Sequence, residues 1–303
     1  MNIQSYIPGV ICIMIALALM FCLMHYARFY AESYFFWIGA ILAIVGIISL
    51  IKPLAFLFVF NRTVAVSVLC GGLLISILSI YWPVPVYHSQ TNLKIDEFLP
   101  EYSFNEYHEV KINASPEKVK YALQTTGVKD IPAALFLMKI RGIAGDKDLS
   151  DQAKNNQADP ETLVTPDFNF FVVDSSELIT FIVIKATAKT PPPEIKSAKQ
   201  FLEFKEPGYV KVAMNFRLIR LENGQTLLTT ETRNDGTTQE DRRHFGRYWR
   251  IIYPGSAIIR RVWLDTLAKK AELSEIQSLF LVLLSHEKRL FRTNELLTIF
   301  TRL

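Results

Sequence analysis

Apolar residues fill three runs near the N-terminus, residues 7–26, 34–51 and 64–82, and no fourth run follows them. The runs hold 20, 18 and 19 residues without a Lys, Arg, Asp or Glu. Roughly 20 such residues are needed to cross about 30 Å of hydrocarbon, so three membrane spans are predicted. Beyond them the pattern becomes that of a water-soluble domain. The stretch EYHEVKI at 106–112 alternates polar with apolar positions, as a half-buried strand does. Ser115 and Pro116 then supply a helix cap and a first helical residue. Residues 131–140 carry a second helical pattern, and the polar stretch 146–166 reads as a loop.

From Phe168 onward β-branched and aromatic residues dominate. Residues 170–173 and 178–186 form one predicted hairpin, and 209–221 with 225–233 form another around Asn223-Gly224. Asn-Gly between alternating strands is a strong short-range hairpin signal. Helical spacing returns over residues 238–272, with Phe245, Tyr248, Trp249 and Ile252 on one stripe that continues past Pro254 through Ile258, Val262, Trp263 and Leu267. The predicted organisation is a membrane anchor at 1–86, an extended proline-bearing linker at 87–100, a domain at 101–272 and an amphipathic tail at 273–303.

Composition divides along the same line. The chain is 50% apolar and its mean hydropathy is +0.21, an average over two unlike parts. Of 33 Lys/Arg and 29 Asp/Glu, residues 1–90 hold three and one, which leaves a nearly neutral domain with 30 and 28. That balance argues against nucleic acid as a partner. The first run lacks a basic n-region and a small-residue cleavage site, so it reads as a retained span rather than a signal peptide. Lys52 and Arg62 in the second loop favour the cytoplasmic side and place the domain on the opposite side. Cys12, Cys22 and Cys70 all fall in the runs, so the domain has no disulfide framework and no cysteine metal site.

The order of strand, two helices, antiparallel strands and one long helix resembles the helix-grip arrangement of the START-like, polyketide-cyclase-like (SRPBCC) superfamily. The residues that carry a narrower likeness are DEFLPEY from Asp96, Glu106 and His108 leading to ASPEKV from Ala114, EPGY from Glu206, RYWR from Arg247, PGS from Pro254 and RRVW from Arg260. They resemble a membrane-anchored bacterial branch and cover residues 95–272. The resemblance implies an α+β fold: three transmembrane helices, then a curved antiparallel sheet wrapped around a long C-terminal helix, with an apolar cavity between them. For a bacterial protein the expected location is the inner membrane, and the loop charges then make the domain extracytoplasmic.

Candidate chemistry is sparse. The five histidines have no metal spacing, and no nucleophile elbow, phosphate loop or dinucleotide motif occurs. No metal and no cofactor is expected. Glu106, His108 and Glu109 are the nearest approach to a cluster; they read as an exposed strand face, with His108 the one candidate acid or base. Phe201, Phe204, Phe216, Tyr248 and Trp249 are candidate pocket walls. Arg243, Arg247 and Arg250 lie at i, i+4 and i+7, either as a solvated basic face or as a surface facing anionic lipid headgroups. The leading functional expectation is a membrane-anchored module that binds a lipid or other hydrophobic small molecule. The alternatives are a cyclase- or hydrolase-type enzyme on a hydrophobic substrate, and a structural or interaction domain with a filled cavity.

Overall fold

In a computed structural model the described residues are 7–27, 30–89, 91–127, 130–131, 162–164, 169–172, 177–193, 195 and 197–300, with side chains described to residue 278 and not at 23–27, 162–164 or 169–172. Three helices come first: α1 (Ile7–Ala27), α2 (Ala31–Ile51) and α3 (Arg62–Ile80). The α3 start is set by Asn61, whose side chain accepts from the Val64 N–H at 2.9 Å. By length and composition α2 and α3 could each cross a membrane, and α1 contributes a shorter apolar stretch. The contact between α2 and α3 is made by small residues. Ser33, Gly39, Ala43, Gly46 and Ser49 of α2 face Ala65, Gly72, Ser76 and Ser79 of α3 in the buried seam. A Cβ added at Gly72 would lie 2.5 Å from the Ala43 nitrogen, so only glycine permits this approach. Ser76 Oγ donates to the Phe36 carbonyl at 3.1 Å, and Ser79 Oγ donates to that of Glu32. Ile41, Ile44, Leu74 and Leu78 point outward, each more than half exposed.

The domain follows with β1 (Tyr87–His88), α4 (Ile95–Phe98), β2 (Glu101–Tyr102), β3 (Phe104–Ile112), α5 (Pro116–Thr125), β4 (Thr162–Val164), β5 (Asn169–Val172), β6 (Glu177–Lys185), α6 (Ala198–Glu203), β7 (Tyr209–Arg220), β8 (Thr226–Gly236) and α7 (Gln239–Phe300). The curved six-stranded sheet runs β3-β8-β7-β6-β5-β4, antiparallel throughout. The β7–β8 turn is where Asn223-Gly224 predicts it; Gly224 has φ of +82°, which a side chain would strain. Thr238 starts α7 by accepting from the Asp241 N–H at 3.2 Å while donating to the Asp241 carboxylate at 2.6 Å.

Both faces of the sheet are covered. On one, α7 packs along two apolar clusters: Ile112, Phe216, Leu228 and Trp263 belong to the first, and Phe104, Phe245, Trp249 and Tyr253 to the second. On the other, α4 and α6 close over Ile179, Phe181, Val183 and Ala213.

Three expectations need correction. Residues 87–100 are not a linker: Ile95 and Leu99 are buried in the core, and β1 pairs with β2. Prolines bracket this segment, but its apolar residues have a sheet face to cover. A strand, β4, occupies 162–164, within the expected loop, because it completes the sheet edge beside β5. The tail is no separate element, since α7 continues unbroken from the domain to Phe300 with Pro254 inside it. The expected helix at 131–140, Ile131 apart, and the rest of the 146–166 loop lie outside the described residues.

Candidate functional site

The apolar helices and the domain meet at one end of the α2–α3 pair. Tyr30, just before α2, donates its hydroxyl to the Asn105 backbone carbonyl and side chain and accepts the Asn105 N–H at 2.8 Å. Trp37 of α2 donates Nε1–H to the Ile251 carbonyl at 3.2 Å. At the end of α3 the backbone turns at Tyr81 and continues without regular structure through Pro83 and Pro85, whose rings disfavour further helix, to β1. This strap and the first turns of α7 enclose a groove of about 770 Å³. Its apolar wall is Ile80, Tyr81, Trp82, Pro83, Val84 and Val86, and its other wall is Gln239, Arg242, Arg243, Arg247 and Arg250.

The four arginines have separate fates. Arg242 pairs with the Asp235 carboxylate through Nε at 2.9 Å and Nη2 at 2.8 Å, and this hydrogen-bonded carboxylate raises its guanidinium above the usual arginine value. Arg250 is buried. Its Nη1 donates to the Ile80 carbonyl at 2.9 Å and its Nη2 to that of Pro83 at 3.2 Å, so it caps carbonyls that the end of α3 leaves open. Burial pulls its guanidinium below the ordinary arginine value, and the charge of Glu32 opposes that pull. The expected single basic face is therefore corrected: Arg250 is committed to backbone, whereas Arg243 and Arg247 are exposed at the groove. Arg247 stacks its guanidinium 4.8 Å from the Tyr81 ring centroid. Neither Arg243 nor Arg247 has an acidic partner among the described residues.

The five candidate pocket walls are not brought together. Phe201 stacks on Phe181 at 4.8 Å and Phe204 meets Tyr209 edge-on, both on the sheet face away from α7. Phe216 meets Trp263 edge-on at 5.3 Å in the first α7 cluster. Tyr248 and Trp249 both pack on Phe245 in the second. Ring-on-ring packing occupies each location.

Between the two α7 clusters runs a polar belt. Glu106 and His108 are buried, not exposed, because Ile112 and Val110 fix the strand phase and turn Tyr107 outward instead. Glu106 Oε1 lies 3.0 Å from His108 Nε2, and Ser256 Oγ of α7 donates to Glu106 Oε2 at 2.8 Å. Across the sheet Glu106 is opposite Thr232, which is opposite Met214, which is opposite Thr180. Arg260 of α7 donates to Thr232 Oγ1 at 2.9 Å and to Met214 Sδ. Desolvation pulls Arg260 below its usual value, with Glu106 acting against it. Ser256 points at the carboxylate and not at the imidazole, so this is not the order of a serine nucleophile with its base. Sequence reasoning missed Ser256 and Arg260. The legible signal was two polar residues at inward positions of one strand, in phase with Val110 and Ile112. Among the described residues no group of acidic, histidine or cysteine side chains could hold a metal ion.

No family model and no curated protein matches the chain. Among solved structures, the chain is similar to a hypothetical protein of Helicobacter pylori, with 12% identity over 61% of this chain and 98% of the other and a TM-score of 0.30. A likeness at that score informs neither fold family nor function.

Proposed function

We propose that the protein is a membrane-anchored module of START-like, helix-grip type that holds a lipid or other hydrophobic molecule at the edge of the bilayer, in the groove between the end of α3 and the start of α7. The observation that carries this reading is the groove's two-sidedness: an apolar wall that prolongs α3, and a cationic wall with two arginines, Arg243 and Arg247, that have no acidic partner among the described residues. The α2–α3 pair supports the anchor. Large aliphatic side chains face outward and glycine, alanine and serine face inward, the reverse of a soluble helix pair and the pattern of helices packed in lipid. Tyr30, Trp37 and Arg250 hold the domain against one end of that pair, opposite the loop with Lys52. On the charge rule for short loops, that loop is cytoplasmic and the domain extracytoplasmic.

An acyl chain laid on Tyr81, Trp82 and Val86 would gain about 0.8 kcal/mol per buried methylene, so a few carbons give useful retention. The test is lipid extraction and mass spectrometry of the full chain, purified in detergent, against a Trp82→Glu variant. Trp82 is 58% exposed, so the change leaves the core intact. A stoichiometric lipid in the parent chain that is lost from the variant supports the reading. Equal lipid in both, or none in either, overturns it.

A further inference from the structure

Resting on that reading, we infer that the groove is a subsite for a lipid phosphate: Arg243 and Arg247 grip the phosphate of an anionic lipid whose chains lie along Tyr81, Trp82 and Val86. The groove is lined by no Asp or Glu, and its one lining arginine with a carboxylate partner is Arg242. Arg250, buried below, adds a third positive charge whose hydrogen bonds go to neutral carbonyls, and the charge of Glu32, which lies outside the groove lining, offsets part of it. The site is therefore electropositive in a position where the chain wall repels a hydrated small anion.

Geometry favours phosphate over carboxylate. Arg243 and Arg247 are one helical turn apart, which sets their Cβ atoms about 6 Å from each other. Each guanidinium presents a fork of donors. A carboxylate has two oxygens and fills one fork, whereas a phosphate group can offer separate oxygens to both. Stacking on Tyr81 fixes the Arg247 guanidinium beside the apolar wall, so the anion it holds sits where a chain can leave along α3. Gln239, a turn before Arg243, adds an amide at the rim.

The experiment titrates the full chain, in micelles of a neutral detergent, with dioleoyl phosphatidate, with oleate and with inorganic phosphate, read by native mass spectrometry. One phosphatidate should bind per chain in preference to oleate. Arg243→Gln with Arg247→Gln should weaken it about fivefold per arginine lost, and Arg243→Lys with Arg247→Lys should recover part of that loss. Both residues are exposed, so the variants fold. Equal affinity for oleate and phosphatidate, or an unchanged affinity in the double glutamine variant, overturns the phosphate subsite while leaving a lipid groove. Arginine-dependent binding of inorganic phosphate without phosphatidate overturns the lipid source. Failure of every amphiphile to bind removes the groove reading as well.

Discussion

Glu106 and His108 share the inward face of one strand, and their side chains meet at 3.0 Å with both residues almost fully buried. Their neighbours are polar as well, with Ser256 and Arg260 reaching down from α7. A buried carboxylate in such a place contributes most by keeping its partners satisfied. Removing one member of a buried charged network costs about 3–5 kcal/mol, because the survivors remain desolvated. Glu106→Ala should therefore lower Tm by on the order of 10 °C, and Glu106→Gln by less, since an amide still accepts from Ser256. Thermal unfolding of the full chain in detergent checks this. Identical midpoints for all three would show that the belt carries no stability.

The α2–α3 crossing gives a prediction with a built-in control. At Gly72 an added Cβ would sit 2.5 Å from the Ala43 nitrogen, while at Gly71, the next residue along the same helix, it would meet nothing within 4 Å. Gly72→Ala should cost about 1–3 kcal/mol by forcing the helices apart, and Gly71→Ala should be neutral or slightly stabilising through helix propensity. Protection from hydrogen exchange over residues 39–46 and 69–76 is the readout. A loss of protection in both variants, or in neither, would contradict the close packing.

Arg250 couples the first turns of α7 to the end of α3. Arg250→Met keeps the apolar stem and removes two charged hydrogen bonds to the Ile80 and Pro83 carbonyls. Hydrogen bonds to charged groups contribute about 1.5–3 kcal/mol each. Hydrogen exchange of residues 80–86 should accelerate by at least tenfold in this variant and stay unchanged in Arg243→Gln, whose side chain points to the groove. Equal acceleration in both would mean that the strap is held by charge in general and not by the Arg250 bonds.

Much of the fold was readable because its signals are local. The three apolar runs, the Asn223-Gly224 hairpin and the long aromatic stripe of α7 each follow from spacing over ten or twenty residues, and the structure keeps β7, β8 and the start of α7 close to those bounds, while α7 runs on through the expected tail to Phe300. What sequence could not supply was long-range. Ile95 is buried because a sheet face 80 residues later needs cover, and the Pro-flanked composition of its segment hides that. Arg250 looks like Arg243 and Arg247 on a helical wheel, and only the carbonyls of Ile80 and Pro83, some 170 residues earlier, set it apart. The strand at 106–112 was legible, and Val110 and Ile112 carry its phase, but the polar character of Glu106 and His108 outweighed that signal and put them on an exposed face, whereas the structure buries both.

Two carboxylates make the domain sensitive to acid. Asp96 is partly buried, which by itself would raise its value, but donors from Ser89 at 2.7 Å, from Arg233 at 2.6 Å and from Thr91 at 3.0 Å outweigh that and hold it below the usual aspartate range. Asp241 follows the same pattern: burial raises it, and donors from Thr187, Thr238, the Gly208 N–H and Thr237 bring it below. A folded value below the unfolded one, roughly 4 for aspartate, gives stability that is fully present above that unfolded value and is lost as pH falls through the folded value. Stability should thus show no contribution to its slope from these groups between pH 5 and 7, and should fall progressively below roughly pH 4. Asp96→Asn and Asp241→Asn should each be less stable than the parent at neutral pH, and their deficits should shrink as the parent is acidified. Melting curves from pH 7 to pH 3 measure this directly. A deficit that stays constant across the range would assign the loss to packing and not to the ionised carboxylate.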